Sequence, residues 1–171
     1  MGAALPFPPP VLAPTNLAAA PSLAAANVIS LFNSSATYTN IAVGDWNPNW
    51  GQGGSISDFV VNTKTIKFLN LVNYQGVNVS PDGGPTGALD ITGKNTLHIS
   101  YWTADGASLK IFPINASGEY PITVSPITQN GWTELEIPIN QAGFSLTTIR
   151  QLKFETTTGL GRFYLDNIYF H

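Results

Sequence analysis

Apolar residues fall in short or alternating runs from residue 27 onward, and no stretch keeps a helical period over a useful length. The runs predict strands at residues 28–32, 65–69, 74–79, 96–103, 108–114, 133–139, 151–156 and 161–170. Gly-, Pro- and Asn-rich breakers separate the strands, and a single helical turn is predicted at 140–143. Many short strands at this spacing indicate an all-β fold, an antiparallel β-sandwich, rather than a parallel α/β fold.

The predicted strand at 96–103 shows how alternation sorts side chains between the two faces of a sheet. If Tyr101 faces the core with its alternate neighbours, then His98, Ser100 and Trp102 point outward. An outward Trp102 is a candidate platform for a sugar ring. The alternative is a ring that a neighbouring loop covers, because an aromatic side chain on a sheet face often packs against a partner.

Composition limits the classes of function. A chain of 171 residues with 43% hydrophobic and 10% charged positions is long enough for one well-buried domain and too short for two. The net charge is −3, and the seven Lys and Arg residues are scattered, so no basic face is available for nucleic acid. The absence of cysteine excludes disulfides and thiolate metal sites, and it is compatible with a secreted bacterial protein.

The first 26 residues differ in composition from the rest of the chain. They are rich in Pro, Ala and Leu and carry no charge. No basic region precedes an apolar one, and proline interrupts any membrane-spanning helix, so neither a signal peptide nor a membrane partner is predicted. We interpret residues 1–26 as a Pro/Ala-rich linker and residues 27–171 as the domain, taken from a longer multidomain protein.

Two tryptophans, Trp46 and Trp50, lie four residues apart in a segment rich in Gly, Asn and Pro. Such a segment favours a loop or strand edge where the rings are half covered; the alternative is that they fill the core. A pyranose ring has a face of C–H groups that packs on an aromatic ring, while its hydroxyls point sideways to polar side chains. The further candidates for this sugar site are one ring and four amides: Tyr74, Asn47, Gln52, Asn73 and Gln75.

Several short motifs, in this order and spacing, resemble a known family. They lie at residues 25–32, 38–40, 45–46, 102–103, 132–139 (Trp-Thr-Glu-Leu-Glu-Ile-Pro-Ile) and 163–170 (Phe-Tyr-Leu-Asp-Asn-Ile-Tyr-Phe). Together they resemble the non-catalytic carbohydrate-binding modules of secreted bacterial polysaccharide hydrolases. The resemblance implies a galactose-binding-like jelly-roll sandwich, secreted or at the cell surface, monomeric, and attached to a glycoside hydrolase. Its implied partner is a β-glucan-type polysaccharide, with cellulose, xylan and chitin as further possibilities.

The resemblance also implies a structural calcium ion, for which it singles out Ser30, Asn33 and Asp166. Calcium takes six to eight oxygen ligands, often from carboxylates. Here Asn33-Ser34-Ser35 stands where an acidic residue commonly follows the phenylalanine of the first strand, so a weaker metal site or none is expected. The alternative is that Asp166 pairs with backbone N–H groups.

Catalysis is poorly supported by the sequence. Glycoside hydrolysis needs two carboxylates, one of them with a raised pKa, and the nearest pair, Glu134 and Glu136, shares a predicted solvent face. A serine triad would need His98, because His171 is the last residue, and no Gly-x-Ser-x-Gly elbow is present. We therefore predict a binding domain and not an enzyme. The alternatives are a cell-surface adhesion domain and a small carbohydrate-active hydrolase.

Overall fold

The computed structural model describes residues 12–158 and 160–171, which form a 3-10 turn at Ala25–Asn27 and a series of strands. The strands are β1 (Ile29–Phe32), β2 (Ser55–Val61), β3 (Lys64–Leu71), β4 (Tyr74–Asn78), β5 (Thr96–Thr103), β6 (Leu109–Asn115), β7 (Gly118–Glu119), β8 (Ile122–Val124), β9 (Trp132–Pro138), β10 (Gln151–Glu155) and β11 (Gly161–Phe170).

Two antiparallel sheets are stacked face to face. The six-stranded sheet has the order β2-β3-β11-β5-β9, with β1 also paired to β11. The five-stranded sheet has the order β4-β10-β6, with β7 and β8 both paired to β6. The predicted all-β sandwich is confirmed. Where the helical turn was predicted, Phe144 N donates to Gln141 O at 3.0 Å in a turn without a helix.

The core lies between the inner faces of the two sheets. Alternation along β5 buries Leu97, Ile99 and Tyr101 completely, as predicted. Leu152 and Phe154 of β10 face them from the five-stranded sheet and are equally buried. This packing fixes which side chains of each strand remain on the outer faces, because a strand turns alternate residues to opposite sides.

The outer face of the six-stranded sheet carries a second apolar cluster. Its buried members are Val61, Ile66, Trp102 and Tyr164. Residues 12–24 lie across this face, with Ala13 and Leu17 packed on the cluster. The described part of the predicted linker is thus in contact with the sandwich. Residues 1–11 lie outside the described residues, and the domain boundary at residue 27 stays a prediction.

Among the residues that the structure describes, no helix is long and apolar enough to cross a membrane.

Candidate functional site

The outer face of the five-stranded sheet presents three rows of side chains. The register of β4, β10 and β6 aligns Tyr74, Glu155 and Lys110 in the first row. Gly76, Lys153 and Phe112 form the second row, and Asn78, Gln151 and Ile114 form the third. Charged, amide, aromatic and aliphatic side chains therefore lie side by side on this face. We call these nine residues and Trp50, which lies on them, the platform.

Trp50 lies face-on over Gly76. A Cβ atom on Gly76 would collide with the Trp50 ring, and three consecutive ring atoms, Cε3, Cζ3 and Cη2, are almost equally close to its position. Such equal distances place the face of the ring, and not its edge, over the strand. Trp50 is only half-buried, so part of the indole stays accessible to solvent. A partly accessible indole on a polar sheet suits a sugar ring.

Two glutamines hold the loop that presents Trp50. Gln52 Oε1 accepts a hydrogen bond from Trp50 N at 2.6 Å, and its Nε2 donates to Pro48 O at 2.6 Å and to Gln75 Oε1 at 2.9 Å. Gln75 is fully buried and donates its Nε2 to Gly76 O at 2.9 Å. Both amides were predicted to contact sugar hydroxyls. In the structure their hydrogen bonds hold the loop that carries Trp50, and Gln75 has no access to solvent.

The two asparagines predicted to bind sugar at this end also accept hydrogen bonds from backbone N–H groups. Asn47 Oδ1 accepts from Ile56 N at 2.8 Å, and Asn73 Oδ1 accepts from Gly53 N at 2.9 Å and Tyr74 N at 2.7 Å. Tyr74 belongs to the platform, and its hydroxyl donates to Trp50 O at 3.0 Å. The ring of Tyr74 is half-buried and stays available for stacking.

Lys153 lies at the centre of the platform. Its Nζ is 4.0 Å from the centroid of the Phe112 ring, close enough for a cation–π contact. It also forms ion pairs with Glu119 and, at 3.9 Å, with Glu155. The ammonium group thus lies over the Phe112 ring, which is 7% exposed. The carboxylates of Glu119 and Glu155 border the ammonium group. These charged groups were not among the predicted site residues, although the alternation of β10 places Gln151, Lys153 and Glu155 on one face.

Trp46 does not join Trp50 on the platform. It packs against the main core, with its ring edge-on to Phe32 at a centroid distance of 5.9 Å. Lys67 Nζ lies 4.8 Å from the Trp46 ring and 2.7 Å from Asp58 Oδ1. The half-buried state expected for both tryptophans is found, but the structure does not bring the two rings onto one surface.

Trp102 points outward from β5, as the alternation predicted, yet it is only 8% exposed. It pairs across the sheet with Trp132 and packs edge-on against Tyr164 at 5.6 Å. Residues 13–16 border a cavity of about 210 Å³ beside it. The covered alternative for Trp102 is therefore the one found, with the N-terminal segment as the cover.

The three predicted calcium ligands are occupied by hydrogen bonds. Asn33 turns its Nδ2 donor toward Ser30 Oγ at 3.1 Å, Tyr38 O at 2.9 Å and Asn40 Oδ1 at 2.6 Å. Asp166 accepts from Ser34 N at 2.8 Å, from Ser34 Oγ at 2.5 Å and from Asn167 N at 2.8 Å.

These residues do not fit a calcium ion. An amide N–H group faces the oxygens that would bind the cation, and a single carboxylate contributes the charge. Burial raises the pKa of Asp166 despite the hydrogen bonds from Ser34 and Asn167. Within residues 12–158 and 160–171, no group of three or more His, Asp or Glu residues could hold a metal ion. Donors from Ser34 and Asn167 thus supply the contacts that an ion would otherwise make to Asp166.

A polar cluster lies on the outer face of the six-stranded sheet. His98 Nδ1 is 2.7 Å from Glu136 Oε1, and its Nε2 is 2.8 Å from Glu134 Oε2. Ser100 Oγ donates to Glu134 Oε2 at 2.6 Å and is 3.5 Å from His98 Nε2. The histidine ring stacks on Tyr169 at a centroid distance of 4.4 Å.

The pKa shifts of this cluster favour a charged histidine beside two charged glutamates, and not a protonated carboxyl group that could act as a catalytic acid. Burial alone would lower the pKa of His98, but its hydrogen bonds to Glu134 and Glu136 and their charges raise it above its ordinary value. Burial would raise the pKa of both glutamates, yet contacts with His98, Ser100 and His171 lower it. Both carboxyls are therefore poor proton donors, and Ser100 has a glutamate and not a histidine base as its hydrogen-bond partner.

Comparison with known proteins reveals similarity in structure but not in sequence. No protein-family model and no curated protein sequence matches the chain. A family 30 carbohydrate-binding module of a cellulosomal cellulase of Clostridium thermocellum is similar, with a TM-score of 0.57 and 12% identity over 84% of this chain and 96% of that one. Variants of a family 29 carbohydrate-binding module in complex with cellulohexaose (15% identity) and mannohexaose (17%) each have a TM-score of 0.53, over 84% of this chain and 89% of theirs. At these identities the likeness establishes the fold, which is that of the predicted family.

Proposed function

We infer that this chain is a non-catalytic carbohydrate-binding module that binds a polysaccharide on the platform. The observation that carries the inference is the Trp50 ring, which lies face-on over Gly76 and is only half-buried. The structural neighbours are carbohydrate-binding modules, which supports the same conclusion.

Stacking and lateral hydrogen bonds would share the binding energy. Trp50 and Tyr74 offer aromatic surface at one edge of the platform, and each stacked pair contributes about 0.5–1.5 kcal/mol beyond the area that it buries. Asn78, Gln151, Lys153 and Glu155 extend from there across the sheet and offer both donors and acceptors to hydroxyl groups. A few contacts of this size give dissociation constants in the micromolar to millimolar range, which correspond to a binding free energy of about −8 to −4 kcal/mol.

The proposed ligand is a β-glucan-type chain. In its β-1,4-linked stretches the equatorial linkages keep the chain extended, so that one ring stacks on Trp50 while the next reaches the polar rows. The complexes of the family 29 module with cellulohexaose and mannohexaose support a linear hexose polymer as the ligand class.

We also propose that the module is monomeric, acts at the cell surface or as a secreted bacterial protein, and is attached to a glycoside hydrolase. The family 30 neighbour belongs to a cellulase, which supports that arrangement. Attachment makes a weak binder effective, because it raises the concentration of the catalytic domain near the polymer without any tighter contact.

Affinity electrophoresis against soluble polysaccharides tests the proposal. The panel consists of laminarin, barley β-glucan, xyloglucan, glucomannan, xylan and glycol chitin. We expect retardation on a β-glucan or glucomannan gel, and at least about tenfold weaker binding for Trp50→Ala, corresponding to about 1.4 kcal/mol. Trp132→Ala is the matched control, since Trp132 is also half-buried but lies on the other sheet. Equal loss in both variants, or no retardation on any polymer, contradicts the proposal.

The adhesion alternative requires a contiguous exposed apolar patch. Of the exposed large hydrophobic residues of the described chain, Val72 and Leu160 adjoin the paired residues Leu71 and Gly161, whereas the others belong to other segments: Leu12, Leu23 and Val60. The hydrolase alternative needs a proton-donating carboxyl in a pocket, and the lowered pKa of Glu134 and Glu136 opposes it.

A further inference from the structure

Residues 12–24 are held on the six-stranded sheet through their backbone carbonyls. Four side chains of the sandwich donate to them: Asn62 Nδ2 to Thr15 O at 3.0 Å, Trp132 Nε1 to Asn16 O at 2.8 Å, Asn167 Nδ2 to Ala19 O at 2.8 Å and Tyr38 OH to Leu23 O at 3.0 Å. In each of these bonds the accepting atom is common to every amino acid. The donors are spread over the whole length of the segment, so they recognise an extended chain by the spacing of its carbonyls.

Two apolar side chains anchor the segment: Pro14 is buried and Leu17 is half-buried. Leu17 packs with Ala13 on the cluster that contains Trp102 and Tyr164, and it is the largest residue of the segment in that contact. Leu12, at the start of the same segment, is 60% exposed. A polar substitution at Leu17 should therefore release the segment from the sheet, whereas the same substitution at Leu12 should not.

The alanines between Leu17 and Leu23 leave space beneath them. A cavity of about 300 Å³ lies between residues 19–23 and a floor made by His98, Glu134 and Tyr169. Side chains larger than alanine fit into such a volume. Hydrogen bonds to carbonyls, a few apolar contacts and a cavity above the sheet are properties of a surface that binds extended peptides largely through their backbone.

We propose that the outer face of the six-stranded sheet is a peptide-binding surface that residues 12–24 occupy within their own chain and that a separate peptide of the same sequence can occupy in their place. The ligand is an extended segment rich in Pro and Ala with one leucine anchor. This function is independent of the platform, which lies on the opposite sheet.

The test uses the full-length chain with the substitution Leu17→Asp, which removes the leucine anchor of the segment and leaves every donor of the sheet in place. Fluorescence anisotropy then follows binding of a fluorescein-labelled peptide of residues 12–24. We expect saturable one-to-one binding to Leu17→Asp. Binding to wild type should be at least about tenfold weaker, because its own segment competes at a high effective concentration. Leu12→Asp is the matched control and should behave as wild type, and the labelled peptide with its own Leu17→Asp change should not bind.

The proposal is overturned if the folded Leu17→Asp chain does not bind the peptide, or if it and wild type bind equally. A second measurement applies if Leu17→Asp does not fold. The variant Tyr38→Phe/Trp132→Phe lacks two donors but keeps an aromatic ring at each position, and elastase should cleave it after Ala18 or Ala19 several-fold faster than wild type. Tyr120→Phe loses an equivalent hydroxyl contact, to Gly143 O at 2.7 Å, and serves as the control. Cleavage at the wild-type rate in the double variant also overturns the proposal.

Discussion

Trp50 and Gly76 are complementary in shape: the indole ring occupies the space that any side chain at position 76 would need. The strand and the loop therefore depend on each other, because β4 presents the only residue type that allows the ring to lie flat. This relationship makes Gly76 a site residue although it has no side chain to contact a ligand.

Gly76→Ala should weaken polysaccharide binding as much as Trp50→Ala, because the new methyl group displaces the ring. We expect at least about tenfold weaker binding and a destabilisation of about 1–3 kcal/mol from overpacking. Titration calorimetry measures the binding, and Gly131→Ala is the control, since a Cβ at Gly131 meets nothing within 4 Å. The effects of Gly76→Ala and Trp50→Ala on binding should not add in the double variant. Additive effects would show that the two residues act separately.

Trp46→Ala should destabilise the fold and leave binding intact. Trp46 packs on Phe32 and the core, so we expect a loss of about 2–3 kcal/mol, below the value for a fully buried ring. Urea unfolding followed by circular dichroism measures this loss. Trp46→Phe should recover most of the stability. A folded Trp46→Ala protein that no longer binds polysaccharide would restore the sequence-based interpretation of Trp46 as part of the sugar site.

Lys153→Gln should weaken binding about fivefold, close to 1 kcal/mol, because it removes a donor at the centre of the platform. Its ion pairs with Glu119 and Glu155 are partly exposed and contribute little to stability. Lys64→Gln, at the exposed first residue of β3, is the control. If both variants bind alike, the ligand does not reach the middle row.

The pH dependence of stability should contain a contribution from His98. Its raised pKa means that its stabilising pairs with Glu134 and Glu136 are complete below its ordinary value of 6.5 and are lost as the pH rises through the folded pKa. The lowered pKa of the glutamates means that their contribution is present above their ordinary value of 4.5 and is lost as the pH falls. The cluster therefore stabilises the fold most between these two values.

Near pH 5.5, His98→Gln should lower the Tm by about 2–4 °C, which corresponds to a loss of about 1 kcal/mol in the free energy of unfolding. The difference from wild type should shrink above pH 6.5 as wild type loses its own ion pairs. Differential scanning fluorimetry from pH 4.5 to 9 measures it, with His171→Gln as the control at the more exposed histidine. A constant difference across this range would show that protonation of His98 does not stabilise the fold.

The hydrogen bonds around Asp166 predict a fold that does not depend on calcium. EDTA should leave the Tm unchanged, whereas Ser34→Ala should cost about 1–3 kcal/mol, because Asp166 loses a buried donor. Ser35→Ala is the control, since its hydroxyl lies at the exposed side of the same loop. A Tm that falls on chelation and returns with added calcium would contradict this interpretation.

The sequence predicted the fold better than the site. Alternation and breakers located the central strands, because these strands bury one face and so keep the period of two. The same two signals did not predict β2, β7 and β8. β2 is an edge strand in which Asp58 pairs with Lys67 instead of an apolar neighbour, and β7 and β8 are short.

The site residues were harder to predict, because a side-chain amide beside a tryptophan serves equally well as a ligand or as a loop support. Only the pairing of β10 with β4 and β6 reveals that Gln75 faces inward and that Lys153 lies among the site residues. Likewise, Trp50 and Trp46 have similar neighbours in the sequence, yet Trp50 lies over Gly76 of β4 and Trp46 packs against the main core.

The carboxyl end of the chain lies on the side away from the platform: His171 pairs with Glu136 on the outer face of the six-stranded sheet. A bead, a fluorophore or a fused protein attached at that end will therefore stand behind the sandwich. Immobilised in this way, the molecules will all present Trp50 and its rows of polar side chains outward. This orientation makes the chain suitable as a directional probe on a sensor surface.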